Sequence, residues 1–230
     1  MQDPSAVILD LDGLMIDTER VARKAWLRAA SELGHTIDES LFSRLSGRRA
    51  QDIRSIVIDV QGEDFPYSEV RERRNRYLIE AFAQGEVGRK AGLSELLETI
   101  EELGLDVAIA TSGRRDATAQ KLAAVGLSDR FEIIVTGDDI ENGKPAPDIF
   151  LEAARRLGVP PAECVVLEDS NAGARAAHAA GMRVIVIPEF REPAEDVLAK
   201  AWRVLPSLHV AARHLVELSK NGSEVHNAQS

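Results

Sequence analysis

Two aspartates near the start of the chain, Asp10 and Asp12, have the type and spacing of a catalytic or metal-binding pair. They follow the apolar run Ala6 to Leu9, which is typical of a strand buried on both faces of a parallel sheet. Residues i and i+2 of an extended segment project to the same side, so both carboxylates should converge just past the strand end. Two like charges this close require a cation or a shared proton, and Mg²⁺ favours such oxygen ligands. On its own, the segment that ends at Gly13 would be interpreted only as a strand end and a turn.

Three later segments place polar groups at the ends of further predicted strands. They are Thr111-Ser112-Gly113, Gly143-Lys144-Pro145 and Glu168-Asp169. The four segments together supply a carboxylate nucleophile, a second carboxyl group for proton transfer, a hydroxyl and a lysine for phosphate oxygens, and further carboxylates for Mg²⁺. Such a set is typical of phosphoryl transfer, in which catalysis consists largely of positioning and charge stabilisation.

Each segment taken alone has a simpler interpretation. The hydroxyls at 111–112 would be turn groups, and the acidic pair at 168–169 would cap the next helix. Gly143-Lys144 also suggests a P-loop, but Gly137 lies one residue too far away and Pro145 stands where Ser or Thr is needed. Because four such coincidences would have to occur in this order and at four strand ends, the phosphoryl-transfer hypothesis is favoured.

The elements that must position these groups alternate between strands and helices in the second part of the chain. The pattern predicts strands over 106–110, 132–135, 164–167 and 183–187, and helices over 93–103, 116–125, 147–157, 171–180 and 207–218. This alternation predicts an α/β fold with a doubly wound, Rossmann-like parallel sheet. In such sheets, ligands bind beyond the carboxyl ends of the strands, where the polar segments lie.

Residues 17–88, between the first two predicted strands, show only helical patterns. Apolar residues with a period near 3.6 follow Thr18 and end before Gly34, and further helical stretches cover 38–45, 50–60 and 68–83. We therefore predict a core formed by 1–16 and 89–220, an inserted all-helical domain at 17–88, and a flexible polar tail at 221–230.

The composition limits the classes of function. With a net charge of −10, 44% apolar residues and 29% charged residues, the 230-residue chain is typical of a globular protein without a nucleic-acid or anionic-membrane partner. Its single cysteine, Cys164, excludes an intramolecular disulfide and fits a reducing compartment. The N-terminus has no secretory pattern and no apolar run approaches the roughly 20 residues of a membrane span, so we expect a cytoplasmic location.

In order and spacing, the motifs resemble those of the haloacid dehalogenase-like superfamily. The matching segments are Asp-X-Asp-Gly-X-X-X-Asp-Thr at 10–18, Thr111-Ser112, Gly-Lys-Pro-X-Pro-Asp-Ile-Phe at 143–150 and Glu-Asp-Ser-X-X-Gly at 168–173. The resemblance runs from Val7 to about Pro188. The helical insert is similar to the cap of the phosphatase and β-phosphoglucomutase branch of that superfamily.

The resemblance implies a role for each core residue. Asp10 would attack phosphorus to form an aspartyl-phosphate, and Asp12 would act as the general acid and base. Mg²⁺ would be bound by Asp10, the backbone carbonyl of Asp12 and Asp169, with Glu168 as a further or water-mediated ligand. The phosphate oxygens would be held by Thr111, the Ser112 backbone and Lys144.

The cap would supply the substrate contacts, which we predict at Gly47, Arg48, Arg49 and Arg74. Each arginine alone equally fits a solvated helix surface. The chain departs from β-phosphoglucomutase, which has a histidine where Ala22 stands and an arginine where Ala50 aligns. Without those two groups a bisphosphate intermediate would be poorly held and poorly shielded from water, which favours hydrolysis.

We therefore predict a Mg²⁺-dependent phosphomonoesterase that acts on small phosphorylated metabolites, sugar phosphates above all. Two alternatives stay open: a β-phosphoglucomutase-type phosphosugar mutase, and a non-catalytic binding or regulatory protein on the same fold. Dehalogenation is a weaker alternative, since that chemistry needs neither Mg²⁺ nor an acid at position 12. We expect a monomer, because cap and core can close on a small ligand without a partner.

Overall fold

The computed structural model describes residues 3–38, 40–48, 50–189 and 192–227, and a parallel sheet lies at its centre. The strands of the sheet are β1 (Ala6–Leu9), β2 (Asp106–Ala110), β3 (Ile133–Val135), β4 (Cys164–Glu168), β5 (Arg183–Val186) and β6 (Arg203–Val204). Across the described ranges their order is β3-β2-β1-β4-β5-β6, and each neighbouring pair is parallel. This topology confirms the predicted α/β fold class.

Helices cover both faces of the sheet and form the insert. They are α1 (Thr18–Ser31), α2 (Ser40–Leu45), α3 (Ala50–Gln61), α4 (Tyr67–Ala83), α5 (Leu93–Glu102), α6 (Arg115–Ala124), α7 (Asp148–Leu157), α8 (Asn171–Ala179), α9 (Glu195–Leu198) and α10 (Leu208–Asn227). Val7 and Leu9 pack towards α5, α6 and α10, whereas Ala6 and Ile8 pack towards α7 and α8. The apolar run of β1 is therefore buried on both faces, as expected for a central parallel strand.

The register of β1 brings the predicted site residues to one edge of the sheet. Leu9 aligns with Ile109 on β2 and with Leu167 on β4. Asp10 and Glu168, which follow Leu9 and Leu167, consequently lie at the same level of the carboxyl edge. Chain order also reverses between β1 and β4, and this switch point is where ligands bind in doubly wound sheets.

Three details of the fold differ from the sequence-based expectation. Neither the exposed two-residue strand β6 nor the single-turn helix α9 was predicted, because segments this short carry no measurable period. Helix α10 continues to Asn227, so the predicted polar tail is helical over 221–227, while 228–230 lie outside the described residues. The polar sequence of this helix end lacks the apolar period that we used to place its boundary.

The insert has an apolar cluster of its own. Trp26, Leu41, Val57 and Val70 of helices α1 to α4 are buried together, separately from the clusters that flank the sheet. The two segments that connect the insert to the rest of the chain lie side by side, since the Asp17 N–H donates to the Gly88 carbonyl at 3.0 Å. These contacts support our proposal that 17–88 is a cap and that 1–16 and 89–220 form the core. Within the described ranges, no helix combines the length and the apolar character required to cross a membrane.

Replacing Ile109 by alanine should destabilise the protein by about 2–5 kcal/mol, since this fully buried side chain of β2 leaves a cavity in the core. Urea unfolding followed by circular dichroism measures the change. The control is Ile79→Ala, because the Ile79 side chain is 70% exposed and its loss should alter stability by no more than about 0.5 kcal/mol. Equal effects of both substitutions would contradict the packing described here.

Candidate active site

A buried lysine ammonium, that of Lys144, lies where β1, β2 and β4 end. Its Nζ donates to Asp10 Oδ1 at 2.5 Å, to Glu168 Oε1 at 2.7 Å and to the Ala110 carbonyl at 3.2 Å. All three N–H donors of the ammonium are therefore used. The residue is only 1% exposed, and its ammonium also lies 4.9 Å from the centre of the Phe150 ring.

The charge of Lys144 is retained despite its burial. Burial alone would lower the pKa of the ammonium, but the adjacent carboxylates of Asp10 and Glu168 raise it above its ordinary value. A buried lysine without such partners would lose its proton. The site therefore keeps a fixed positive charge next to Asp10.

Glu168 is held by protein donors on both of its oxygens. Oε1 accepts from Lys144, while Oε2 accepts from the Ser170 N–H at 2.7 Å and from the Ser170 hydroxyl at 2.9 Å. Gly173 makes room for this carboxylate, since a Cβ there would lie 1.6 Å from Oε1. Because neither oxygen is free, we propose that Glu168 orients Lys144 and reaches a metal only through water, which is one of the two roles that we predicted for it.

Asp10 and Asp169 carry negative charge that the protein compensates incompletely. Burial raises the pKa of Asp10 to about 8, with Lys144 opposing the rise and Glu168 adding to it. Burial, with the charges of Glu168, Glu19 and Asp10, also raises the pKa of Asp169 well above its ordinary value. In the described part of the chain, Asp169 has no hydrogen-bond or ion-pair partner.

The turn after Asp12 is shaped to admit the Asp169 carboxylate. Gly13 has a φ of 95°, which L side chains rarely adopt, and a Cβ on it would lie 2.2 Å from Asp169 Oδ2. Glycine at this position therefore lets the β1 loop and the β4 loop approach each other. This approach places Asp169 beside Asp10.

Asp12 lies apart from this cluster and pairs with a second lysine. Lys121 Nζ donates to Oδ1 at 2.5 Å and to Oδ2 at 2.7 Å, and the Thr18 hydroxyl donates to Oδ1 at 2.8 Å. Burial alone would raise the pKa of Asp12, but the Lys121 ammonium and these hydrogen bonds lower it below its ordinary value. Asp12 is consequently ionised in this conformation.

The hydroxyl pair after β2 lies between Asp12 and the cap. The Thr111 hydroxyl donates to Asp12 Oδ2 at 3.4 Å, and the Ser112 hydroxyl donates to the Gly47 carbonyl at 2.9 Å. Among the described residues, the Ser112 backbone N–H has no acceptor, so it is available to a ligand oxygen. The structure thus places both predicted phosphate-binding residues at the carboxyl edge with Lys144.

Two of the predicted cap residues contact the core loops directly. Gly47 packs against Ser170, where a Cβ would lie 2.4 Å from the hydroxyl oxygen, and Arg48 Nη1 donates to the Lys144 carbonyl at 3.2 Å. Arg74 is half-buried in the cap with its guanidinium 5.7 Å from the centre of the Trp26 ring. Burial lowers its pKa to about 10, and the charge of Asp12 opposes this shift. The fourth cap residue, Arg49, lies outside the described residues.

With this geometry in place, comparison with known proteins identifies the family. A family model described as haloacid dehalogenase-like hydrolase matches residues 7–187. The chain belongs to the haloacid dehalogenase-like hydrolases. This membership confirms the resemblance inferred from the motifs and agrees with the position of those motifs along the sheet edge.

Individual relatives of this hydrolase are phosphatases or proteins solved with phosphate. Protein CbbY of Rhodobacter capsulatus is 33% identical over 223 residues, which cover 92% of this chain and 96% of that protein. Fructose-1-phosphate phosphatase YqaB of Escherichia coli is 34% identical over 193 residues, covering 79% and 95% respectively. A crystal structure of CbbY from Rhodobacter sphaeroides in complex with phosphate has a TM-score of 0.72 and 28% identity, covering 90% and 95%. Together, family and relatives make the chain a phosphoric monoester hydrolase, as predicted.

Sequence reasoning missed three charged residues of this hydrolase's site. Lys121 could have been found, because it follows the buried Thr118 by three residues on α6 and so lies on its inner face. Glu189 follows the end of β5 and is a strand-end carboxylate like the others. Glu19 lies in the first turn of α1, where an acidic residue usually indicates only a helix start.

Oxygen ligands suited to a hard cation surround Asp169. Carboxylate oxygens of Glu19, Asp169 and Glu189 lie within 4.8 Å of one another, and Glu189 also forms an ion pair with Lys90. Burial raises the pKa of Glu19 to about 7, with a Ser46 hydrogen bond opposing the rise and Glu189 adding to it. Buried carboxylates without sufficient partners fit Mg²⁺, which prefers one or two carboxylates and completes its shell with water.

Without a divalent cation, the free energy of unfolding should fall as the pH rises from about 4 to about 8. The pKa of Asp10 rises from 3.8 to about 8 on folding, so the folded state binds the proton more tightly within this window. The contribution of Asp10 to stability is therefore greatest below pH 3.8, and it is lost as the pH rises through about 8. Thermal unfolding with a chelator measures this decline, and Asp10→Asn should make it shallower. If Mg²⁺ does not raise the melting temperature near the upper pH of about 8, the proposed metal fit is contradicted.

Proposed function

We propose that this hydrolase is a Mg²⁺-dependent phosphomonoesterase that acts on small phosphorylated metabolites, especially sugar phosphates, through an aspartyl-phosphate at Asp10. The observation that carries the proposal is the fixed ammonium of Lys144 between Asp10 and Glu168, near the carboxylate of Asp169, which has no partner among the described residues. A nucleophile, a phosphate-binding cation and a metal ligand are then neighbours. This is the arrangement that phosphoryl transfer requires.

Asp10 is suited to nucleophilic attack because Lys144 fixes one of its oxygens and leaves the other to face the substrate. A transferring phosphoryl group spreads charge over its equatorial oxygens. Among the described residues, the Ser112 N–H is a free donor for those oxygens, and the Thr111 hydroxyl could turn to them from Asp12. The Lys144 ammonium, whose three N–H groups are already paired, would contribute its fixed positive charge, which stabilises the developing negative charge.

Asp12 is suited to both proton transfers. It lies two residues after the nucleophile, outside the Lys144 network, and donors from Thr18, Thr111 and Lys121 orient its carboxylate. Because Asp12 is ionised in this conformation, it would have to take up a proton when the substrate binds. As an acid it would then give this proton to the leaving oxygen, and as a base it would take a proton from the hydrolytic water. Asp12 can serve both half-reactions because the first leaves it deprotonated and the second returns its proton.

The residues that would hold Mg²⁺ are Asp10, Asp169 and the backbone carbonyl of Asp12, with Glu168 acting through water. When bound, the ion neutralises part of the charge of nucleophile and phosphate, which otherwise repel each other. Among the residues that the structure describes, Asp169 has no hydrogen-bond or ion-pair partner that must first be displaced. Glu19 and Glu189 are near enough to Asp169 to order metal-bound water.

The substrate class follows from the cap and the relatives. Gly47 and Arg48 bring the cap against the Ser112 and Lys144 loops, so cap residues lie next to the proposed phosphate site. One relative is named for its action on fructose 1-phosphate, a small sugar phosphate. Ala22 offers no polar group that would retain a bisphosphate intermediate, so hydrolysis is favoured over mutase activity. We also propose a cytoplasmic monomer, since one chain supplies both cap and core.

Asp10→Asn should reduce phosphate release by on the order of 10⁴-fold or more, because the amide cannot form the acyl-phosphate. The assay follows release from sugar phosphates, nucleotides and phosphoglycolate with Mg²⁺ and with a chelator. Asp106→Asn, at an exposed position on β2, is the control and should retain activity. Mass spectrometry of the quenched wild-type enzyme should find one phosphoryl group on the peptide that contains Asp10.

Retention of full turnover by Asp10→Asn would refute the aspartyl-phosphate. Conversion of β-glucose 1-phosphate to glucose 6-phosphate with little phosphate release would indicate a mutase. Failure to turn over any compound in the presence of Mg²⁺ would favour a non-catalytic binding protein.

Asp12→Asn should reduce hydrolysis of a sugar phosphate by about 10²- to 10⁴-fold, because its alkoxide leaving group needs a proton. The loss should be smaller for p-nitrophenyl phosphate, whose phenolate leaves without protonation. The ratio of kcat/KM for the two substrates is the measurement. An equal loss on both substrates would contradict the general-acid role.

A further inference from the structure

The segment after β3 lies against the loop that we propose to hold phosphate. This phosphate loop, residues 111–115, joins β2 to α6, and Ser112 lies within it. The Thr111 N–H donates to the carbonyl of the last residue of β3 at 2.9 Å, and the Gly137 N–H donates to the Gly113 carbonyl at 2.8 Å. The loop is therefore bonded to the neighbouring segment on both sides of Ser112.

Gly137 allows the two backbones to approach this closely. It begins a short 3₁₀ helix, Gly137–Asp139, which we call the 137–139 turn. A Cβ on Gly137 would lie 2.6 Å from the Ser112 carbonyl oxygen and 3.3 Å from the Gly113 oxygen. The φ of Gly137 is outside the left-handed region, so lack of space rather than backbone conformation requires glycine here. The peptide group between Ser112 and Gly113 is thus packed directly against the turn.

The two aspartates of the turn hold the far end of the phosphate loop. Asp138 Oδ2 accepts from the Arg115 N–H at 2.9 Å, and Asp139 Oδ1 forms an ion pair with the Arg115 guanidinium. The side chain of the α6 N-cap residue, Arg114, forms no capping hydrogen bond, so Asp138 supplies an acceptor at the start of this helix. The phosphate loop and the first turn of α6 are therefore tied to the same three residues.

Asp139 fixes the shape of the turn through both carboxylate oxygens. Its side chain is only 8% exposed, and Oδ2 accepts from the Thr136 N–H at 2.8 Å and from the Thr136 hydroxyl at 2.6 Å. Oδ1 accepts from Arg156 Nη2 of α7 at 2.8 Å, in addition to the ion pair with Arg115. Burial alone would raise the pKa of Asp139, but the Arg156 and Thr136 hydrogen bonds hold it well below its ordinary value. The carboxylate consequently keeps its charge and links β3, the phosphate loop and α7.

We propose that the 137–139 turn is a buttress for the phosphate loop, in which Gly137 and Asp139 are positioning residues for the Ser112 N–H. This inference rests on the proposed function, in which that N–H binds a phosphate oxygen. A misplacement of about 1 Å in such a donor can reduce the rate by about 10²-fold. The proposed nucleophile and metal ligands follow other strands, β1 and β4, so the buttress should affect phosphate binding and leave Mg²⁺ binding unchanged.

Gly137→Ala tests the close approach, because the added methyl group would displace the Ser112 peptide. With Mg²⁺ present, the Ki of inorganic phosphate should rise by about 10- to 100-fold. The kcat/KM should fall by a similar factor for a sugar phosphate and for p-nitrophenyl phosphate, since both present the same phosphoryl group to Ser112. A merely destabilising effect would leave the Ki unchanged, because this constant does not depend on the fraction of folded enzyme. Gly88→Ala is the control, since a Cβ on Gly88 would have no described heavy atom within 4 Å.

Arg115→Met tests the ion pair with Asp139 separately. The Arg115 side chain is 61% exposed, so this variant should fold even if Gly137→Ala does not. It should raise the phosphate Ki several-fold, and Arg115→Lys should restore most of the affinity, because lysine keeps a positive charge opposite Asp139. Arg114→Met is the matched control, since Arg114 is 70% exposed and pairs with Asp116 rather than with the turn. An unchanged Ki in folded Gly137→Ala, or equal Ki values in Arg115→Met and Arg114→Met, would overturn the proposal.

Calorimetry with inorganic phosphate and with Mg²⁺ separates this inference from the proposed function. If no phosphomonoester is hydrolysed but phosphate binds, and Gly137→Ala weakens this binding, the buttress stands and the phosphatase assignment fails. If phosphomonoesters are hydrolysed and both variants bind phosphate as the wild type does, the phosphatase assignment stands and the buttress is refuted. A parallel loss of Mg²⁺ affinity would indicate a general disturbance of the site and would also refute the buttress. A wild-type protein that neither hydrolyses phosphomonoesters nor binds phosphate would refute both.

Discussion

The contact on which the rest of the site depends is the buried ammonium of Lys144 between Asp10 and Glu168. A charge this deep in a protein is tolerated only when its donors are all paired, and here two carboxylates and the Ala110 carbonyl accept them. Much of the local structure serves this pairing. Ser170 holds the far oxygen of Glu168, and Gly173 leaves the space that this carboxylate occupies. The register of β1 with β4 then places Asp10 and Glu168 on either side of the same ammonium.

The site nevertheless retains an excess of negative charge, and this excess determines what it can bind. Lys144 pairs with Asp10 and Glu168, and Lys121 pairs with Asp12, whereas Asp169 has no such partner among the described residues. A bound phosphate would therefore add to negative charge that is not fully compensated. Burial raises the pKa of Asp10 and of Asp169. These two carboxyl groups therefore tend to bind protons, which reduces the same excess of negative charge. A metal ion would relieve it and attract the substrate at once. In the proposed function, fold stability, metal binding and catalysis would thus be linked through the same few carboxylates.

Core and cap have different tasks but are joined at the phosphate loops. In the proposed function, the sheet edge would supply the reacting groups on rigid strand ends, whereas the cap would supply groups that contact the leaving group. The Ser112 hydroxyl donates to the Gly47 carbonyl and the Arg48 guanidinium donates to the Lys144 carbonyl, so the cap rests on the two loops that we propose to hold phosphate. A change in cap position would therefore reach these loops through direct contacts.

The sequence by itself determined the sheet, the helical insert and the four strand-end motifs, because apolar period, turn residues and motif spacing are local properties of the chain. The pairing of Lys121 with Asp12 was decided only by the tertiary structure, since the two residues come from separate segments and no local pattern links them. The same holds for Glu19 and Glu189 near Asp169. The distinct surroundings of Glu168 and Asp169 were also decided there: adjacent strand-end side chains point to opposite sides, so one meets Lys144 and Ser170 while the other faces the Gly13 turn.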